Sequence, residues 1–295
     1  MARPWQPTSR LESKVRGSQL VMYPSDLPGV EYCVDNVDGL DTNTGYDWDN
    51  AFKTVQAAIT ASNATVDWSY TPKKYNRIYV KPGVYAENLT PAYYCHIIGL
   101  GIPGTDTQAE IHPTTGSCLT GTLLGAGLQN LWFEVNEALA CLDIGIGNNS
   151  YIGDCVFTNG DAVAAWGIDT DNATHLTIER CRFESGQTTG LAYGIYARGG
   201  ADKYWHCCVV RDCYINASTA GIWIQNTCTA SGAMIGPGNV IVGAAKGIDD
   251  NSGTTYCVGN FISATDAIEH ANSTTMCVGN SVTNNGTGAK ETANS

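Results

Sequence analysis

The chain has 295 residues, 43% of them hydrophobic, with 33 Gly and a formal net charge of −12 at pH 7. That apolar content excludes a disordered chain, and the acidity excludes nucleic acid as the partner of the body, because phosphate binding needs clustered cations. No apolar run is long enough to span a membrane, and Met1 to Arg16 lacks the apolar core of a signal peptide, so synthesis in the cytoplasm is expected.

Residues 1–29 read as an extended arm, with Pro4, Pro7, Pro24 and Pro28 and no sustained periodicity. Arg3, Arg10, Lys14 and Arg16 against Glu12 give residues 1–20 a net charge of +3, which leaves −15 on the remainder. A basic arm on an acidic body is suited to docking on an acidic partner, with Trp5, Leu11, Leu20 and Val21 as apolar anchors.

Residues 30–91 form an entry segment. Phe52, Val55 and Ile59 fall at helical spacing with Asp49 near the start, which predicts a helix over Asn50 to Ala61 capping the open end of the first coil. Asp35, Asp38, Asp41, Asp47 and Asp49 form an acidic run, but Asp41-Thr42-Asn43-Thr44-Gly45 lacks the later bidentate Glu of an EF-hand loop, so we read turn and cap chemistry there. No metal and no cofactor is expected anywhere in the chain.

Residues 92–283 carry the organising pattern. After irregular first coils, with Tyr94 to Ile98 and Leu128 to Val135 as strand material, one unit recurs six times. Its anchor pairs are Leu142 and Ile152, Ile168 and Ile178, Ile195 and Val210, Ile222 and Ile235, Ile248 and Val258, Ile268 and Val278. Each second anchor precedes a corner dipeptide such as Gly153-Asp154 or Gly279-Asn280, and each first anchor from Ile168 on follows a short strand such as Trp166-Gly167 or Tyr193-Gly194. Three short strands with corners, repeated at 20 to 27 residues, describe a parallel β-helix that buries its apolar faces by stacking coils. Residues 284–295 form a polar tail.

Cys155, Cys181 and Cys213 share one register and predict a ladder of buried thiols. Cys257 and Cys277 share another, where a disulfide is sterically allowed. Cys207 and Cys208 alternate faces and do not converge on a metal. The seven Asn-x-Ser/Thr sites, at Asn63, Asn88, Asn148, Asn172, Asn216, Asn272 and Asn285, read as corner chemistry.

For function, Tyr196 and Trp223 occupy one outward register, where aromatic rings stack sugars or anchor subunits. Asp143 and Asp169 sit one coil apart in register and are the carboxylate pair to consider if the chain is a glycosidase; Asp249 and Glu269 form a second pair. Asp154, Arg180 and Asp212 form a corner charge ladder. From Pro82 to Glu179 there are eleven carboxylates and no Lys or Arg, and no histidine has a matched nucleophile.

Asp38 to Gly45, Trp48 to Ile59 and Arg77 to Tyr85 together resemble the entry to right-handed β-helix proteins of the pectate-lyase-like superfamily, and with the repeats the resemblance covers residues 32–283. It implies an all-β fold: a right-handed single-stranded parallel β-helix with an N-terminal capping α-helix and an extended N-terminal arm. The superfamily includes lyases, hydrolases, phage tailspikes and inert virion proteins, and its pectate lyases combine calcium-binding acids with Arg and Lys on one face. The expectation is a phage virion structural protein, a homotrimeric capsid decoration or cement protein. It would be made in the host cytoplasm, sit on the virion surface and dock through its arm on the major capsid protein or another virion protein. The alternative is a tailspike or secreted pectate-lyase-like enzyme that binds or cleaves a polysaccharide, including host surface glycan.

Overall fold

The computed structural model describes residues 27–66, 68, 74–102, 105, 107–160, 164–184, 190–200, 202–225, 227–251, 254–270 and 274–284. The arm residues Arg3, Trp5, Arg10, Leu11, Lys14, Arg16, Leu20 and Val21 lie outside them, as does the tail from residue 285. Among the described residues every strand pairing is parallel, in one sheet of 18 strands and a second of nine. The chain is a parallel β-helix. Pairing already begins at Leu27–Val34, which lies beside Lys74–Val80, so the first coil takes in the last residues read as arm.

The first-anchor column runs Leu119, Leu142, Ile168, Ile195, Ile222, Ile248, Ile268, each the register partner of the next. Six of the seven are fully buried and Ile268 nearly so. The second-anchor column runs from Leu128 through Ile152, Ile178, Val210 and Ile235. It then continues to Cys257 and Cys277 rather than to Val258 and Val278. In the last two coils the segment between anchors is one residue shorter, so counting ten places landed on outward residues, and Val278 is 54% exposed. A third interior column, Phe133, Phe157 and Phe183, stacks with ring centroids 5.5 and 4.7 Å apart and gives way to Ile215, Ile241 and Ile262.

Glycine precedes the first anchor because the coil turns tightly there. A Cβ on Gly194 would lie 2.4 Å from Ile215 and 2.7 Å from the Gly221 carbonyl oxygen. At the corner after the second anchor, Asn130, Asp154, Arg180 and Asp212 all take left-handed φ of 50° to 56°, which side chains other than glycine rarely adopt.

The helix spans Val55–Ala64, later than the predicted Asn50 to Ala61. Phe52 is instead extended and bridges Val34, while Asp41 accepts from the amides of Lys53 and Thr54 at 3.0 and 2.8 Å and holds the chain straight up to the Thr54 cap. The anion at the helix start is not Asp49 but Glu87, whose two oxygens take the Val55 and Gln56 amides at 2.9 Å. Val55, Ala58 and Ile59 face the core with Tyr32, Val34 and Ile78, so the helix covers the first coil. Asp35 and Asp47 likewise accept backbone amides. Burial would raise the Asp35 carboxyl, but Lys81 and the amides of Val37 and Asp38 outweigh it and hold it below the ordinary carboxylate range.

Candidate ligand-binding face

Strand alternation turns the residue after each first anchor outward. Down the helix this column reads Asp143, Asp169, Tyr196, Trp223, Asp249, Glu269, each in register with the next. Beside it runs a second outward column containing Trp166, Tyr193 and Lys246. At one coil per strand spacing, the six residues of the first column cover about 24 Å along the axis.

The centre of the face is aromatic. Tyr196 and Trp223 stack with centroids 5.0 Å apart and planes at 28°, Tyr193 lies 5.0 Å from Trp223, and Trp166 lies 6.3 Å from Tyr193 with planes at 6°. The Tyr196 hydroxyl donates to Gln225 Oε1 at 2.8 Å, and that oxygen also accepts the Gly199 amide at 2.7 Å, which fixes the ring. Burial, reinforced by Asp169, raises the Tyr196 phenol above its usual range and keeps it protonated.

On each side of the aromatic centre an acid pair is bridged by one cation. Arg198 donates through Nε to Asp169 at 3.2 Å and through its terminal nitrogen to the same carboxylate, while its guanidinium lies 3.6 Å from Asp143 and 3.4 Å from Asp171. Lys203 holds the other oxygen of Asp171 at 2.6 Å. At the far end Lys246 bridges Asp249 at 2.7 Å and Glu269 at 2.8 Å. Asp169 is almost fully buried and Asp143 is 40% exposed. Burial raises the Asp169 carboxyl against the pull of Arg198, with Asp143 and Asp171 adding to the rise. Asp143, Trp166, Asp169, Tyr196 and Arg198 line a cleft of about 300 Å³ together with Ser117 and Leu139.

The two predicted pairs, Tyr196 with Trp223 and Asp143 with Asp169, therefore meet on one face. Sequence reasoning missed Trp166 and Tyr193, although both stand at one position, immediately before the glycine of the short strand. It also missed Arg198 and Lys203. The stretch without Lys or Arg ends at Glu179, and these cations reach back from the following coil, 29 and 32 residues beyond the acids they pair with. The absence of cations between Pro82 and Glu179 thus does not leave Asp143, Asp169 and Asp171 unpaired. The corner ladder contains a two-bond pair, Arg180 to Asp154 at 2.8 and 3.0 Å. Cys207 is exposed at a left-handed corner, with φ of 51°, and Cys208 is buried, so the two thiols point apart because of that corner and not because of strand alternation. His112, set aside in the sequence, lies between Glu110 and Glu134 on the other sheet, 3.0 and 3.7 Å from them.

No protein-family model matches the chain, and no curated protein does. Among solved structures, a rhamnogalacturonan lyase aligns with 80% of this chain and 69% of its own at 12% identity and a TM-score of 0.47. The fold assignment rests on the coils themselves.

Proposed function

We propose that the protein binds a polysaccharide laid along the helix axis, with Trp166, Tyr193, Tyr196 and Trp223 stacking sugar rings and the two cation-bridged acid pairs bonding hydroxyls on either side. The observation that carries this reading is the run of four stacked, outward aromatic rings between acids already held in place by Arg198 and Lys246. Rings fixed before binding lose little freedom on contact with a ligand. Screening a panel of immobilised bacterial and plant polysaccharides should find a binder whose affinity falls at least about tenfold, or ~1.4 kcal/mol, in Trp223→Ala and in Tyr193→Ala. Affinity unchanged by both substitutions rejects the face.

Asp169, buried with a raised carboxyl beside the more exposed Asp143, favours a second reading as a polysaccharide-cleaving enzyme. It predicts sugar release that disappears in the Asp143→Asn, Asp169→Asn double variant while binding persists.

The face is compatible with display on a virion, and we propose that setting for it from the contrast between the basic arm and the acidic body. Deleting residues 2–21 should leave a folded, glycan-binding protein that no longer attaches to its particle. Attachment at full occupancy by the truncated protein rejects the docking arm.

A further inference from the structure

On the nine-stranded sheet, three side chains converge that the ligand-binding reading does not use. Glu110 projects from strand Ala109–Ile111, His112 follows it two residues on, and Glu134 projects from the paired strand Leu131–Val135. The alternation of a strand puts residues 110 and 112 on one outward face, and pairing with the next coil brings Glu134 beside them. Their ligand-type atoms all lie within 4.8 Å of one another, and each side chain is only 20 to 25% exposed.

We propose that Glu110, His112 and Glu134 form a binding site for a divalent first-row metal ion of the Mn²⁺ or Zn²⁺ type. The donors are two carboxylate oxygens and the imidazole Nδ1, a set whose two negative charges balance the ion and whose mixed oxygen and nitrogen character suits those metals. Two atoms bound to one ion at 2.0–2.2 Å are at most about 4.4 Å apart, so the three side chains close on it by moving less than about 1 Å.

Side chains behind His112 and Glu134 hold both donors in place. The Asn136 amide nitrogen donates to the far ring nitrogen of His112 at 2.9 Å, which fixes the ring with Nδ1–H toward Glu110; with a metal on Nδ1 the proton would sit on Nε2 and the Asn136 amide would turn over to accept it through Oδ1. Thr158 donates to Glu134 Oε2 at 2.9 Å and itself accepts from the Trp132 indole at 2.7 Å, which leaves Oε1 as the oxygen turned to His112. Arg182, which stands three coils further along the column of Glu110, is bonded to Glu184 and is not directed at the site.

A separate observation concerns Gly160 in the next coil. Its φ lies outside the left-handed region, so its backbone does not demand glycine, yet a Cβ there would sit 2.8 Å from Glu134 Oε1 and 2.4 Å from Asn136 Oδ1. The missing side chain keeps the space over the donor oxygen open. An ion held there would tie the coil at 109–112 to the coil at 131–136, directly after the irregular turn that follows Gly99.

The test uses the full-length protein after chelator treatment, titrated with Mn²⁺ and followed by electron paramagnetic resonance and by melting temperature. Mn²⁺ is chosen because the twelve cysteines would compete for a thiophilic ion but are poor ligands for this one. One equivalent should bind and raise the melting temperature. His112→Ala and Glu134→Gln should each weaken binding at least tenfold, and Thr158→Val, which keeps all three donors, about tenfold. Asp169→Asn with Asp171→Asn should leave binding unchanged. Absence of binding at millimolar Mn²⁺ and Zn²⁺ overturns the proposal, as does binding that survives Glu134→Gln and Thr158→Val in folded protein.

Discussion

One interior corner of the coil is filled by two chemistries. In the middle of the helix it holds Cys155, Cys181 and Cys213; in the last coils it holds Asn239, Asn260 and Asn280. Both sets address the same acceptor, the backbone carbonyl of the second anchor in the preceding coil. The thiols approach the carbonyls of Leu128, Ile152 and Ile178 at 3.6, 3.6 and 3.8 Å, and lie closer still to the carbonyls of Gly153, Glu179 and Arg211 in their own coils, at 3.2, 3.4 and 3.2 Å. The amides donate to those of Val210, Ile235 and Cys257 at 2.9 Å each. Asn239 and Asn260 also donate to the next amide in the ladder, Asn260 and Asn280, at 2.9 Å. A thiol is a weak donor and a small hydrophobe, so it suffices where Phe157 and Phe183 seal the core around it. Toward the end of the helix, where Phe261, Met276 and Val278 are 44 to 54% exposed, less apolar burial is available and directional bonds hold the coils in register.

The largest effect separates inward from outward positions in the two regions. Ile178→Asp places a carboxylate without a partner inside the thiol region and should cost more than about 4 kcal/mol, enough to unfold a marginal protein. Val278→Asp, at the position the repeat spacing had nominated as an anchor, should change stability by less than about 0.5 kcal/mol, because it faces solvent. Chemical denaturation of the two variants checks this, and equal losses would reject the register.

Next in size is Asn260→Ala. It takes the side-chain donor from the Ile235 carbonyl and removes the acceptor for Asn239, both buried, and should cost about 2–6 kcal/mol at roughly 1–3 kcal/mol per affected group. Cys181→Ala loses two weak thiol contacts and a little volume, and should cost about 1 kcal/mol. If the cysteine variant proves the more damaging in a denaturant titration, the ladders do not differ in the way argued.

The two regions also differ in their response to pH. Burial pushes the thiols of Cys181 and Cys213 well above their ordinary value of 9.0. A raised folded value means that their contribution is fully present below 9.0 and is lost as pH climbs above it, because the unfolded chain ionises first. The amide ladder does not titrate. Stability measured from pH 8 to 10.5 should therefore fall less steeply in the Cys181→Ala, Cys213→Ala double variant than in the wild type, and an unchanged slope would mean that other groups govern alkaline loss.

What could be read from the sequence follows the same division. Ile168, Ile195, Ile222 and Ile248 announced their column because β-branched residues recur with glycine before them, and the Cys155, Cys181, Cys213 register was visible for the same reason. The continuation of the second-anchor column through Cys257 and Cys277 was hidden, since the loop shortened by one residue and a valine stood where the count fell. Asp143 with Asp169 and Tyr196 with Trp223 were legible as register pairs. Arg198 and Lys246 were not, because a long side chain reaching across coils leaves no periodic trace. The Glu110, His112 and Glu134 group was illegible for a related reason: it forms across a turn of irregular length, where no repeat frame exists to align its members.

The smallest expected effect is also the most direct test of equivalence between the ladders. Cys213 is the last thiol, and its own amide already donates to Asn239 Oδ1 at 3.0 Å, so it stands at the junction. Cys213→Asn would extend the amide ladder by one coil. By the geometry of Asn239 and Asn260, the new side chain would face the Ile178 carbonyl as donor target, the Asn239 Oδ1 as a second, and the Cys181 amide as a donor to it. Added volume in a packed corner costs about 1–3 kcal/mol, while two new bonds in place of two weak thiol contacts return about 1–3 kcal/mol. The net change should fall within about 1 kcal/mol of zero. The same substitution at Cys181 lacks a following amide to receive its donor and should be worse by roughly one bond. Denaturation midpoints that rank Cys213→Asn below Cys181→Asn would mean that the boundary between the ladders is fixed by packing around the Phe column and not by the supply of hydrogen-bond partners.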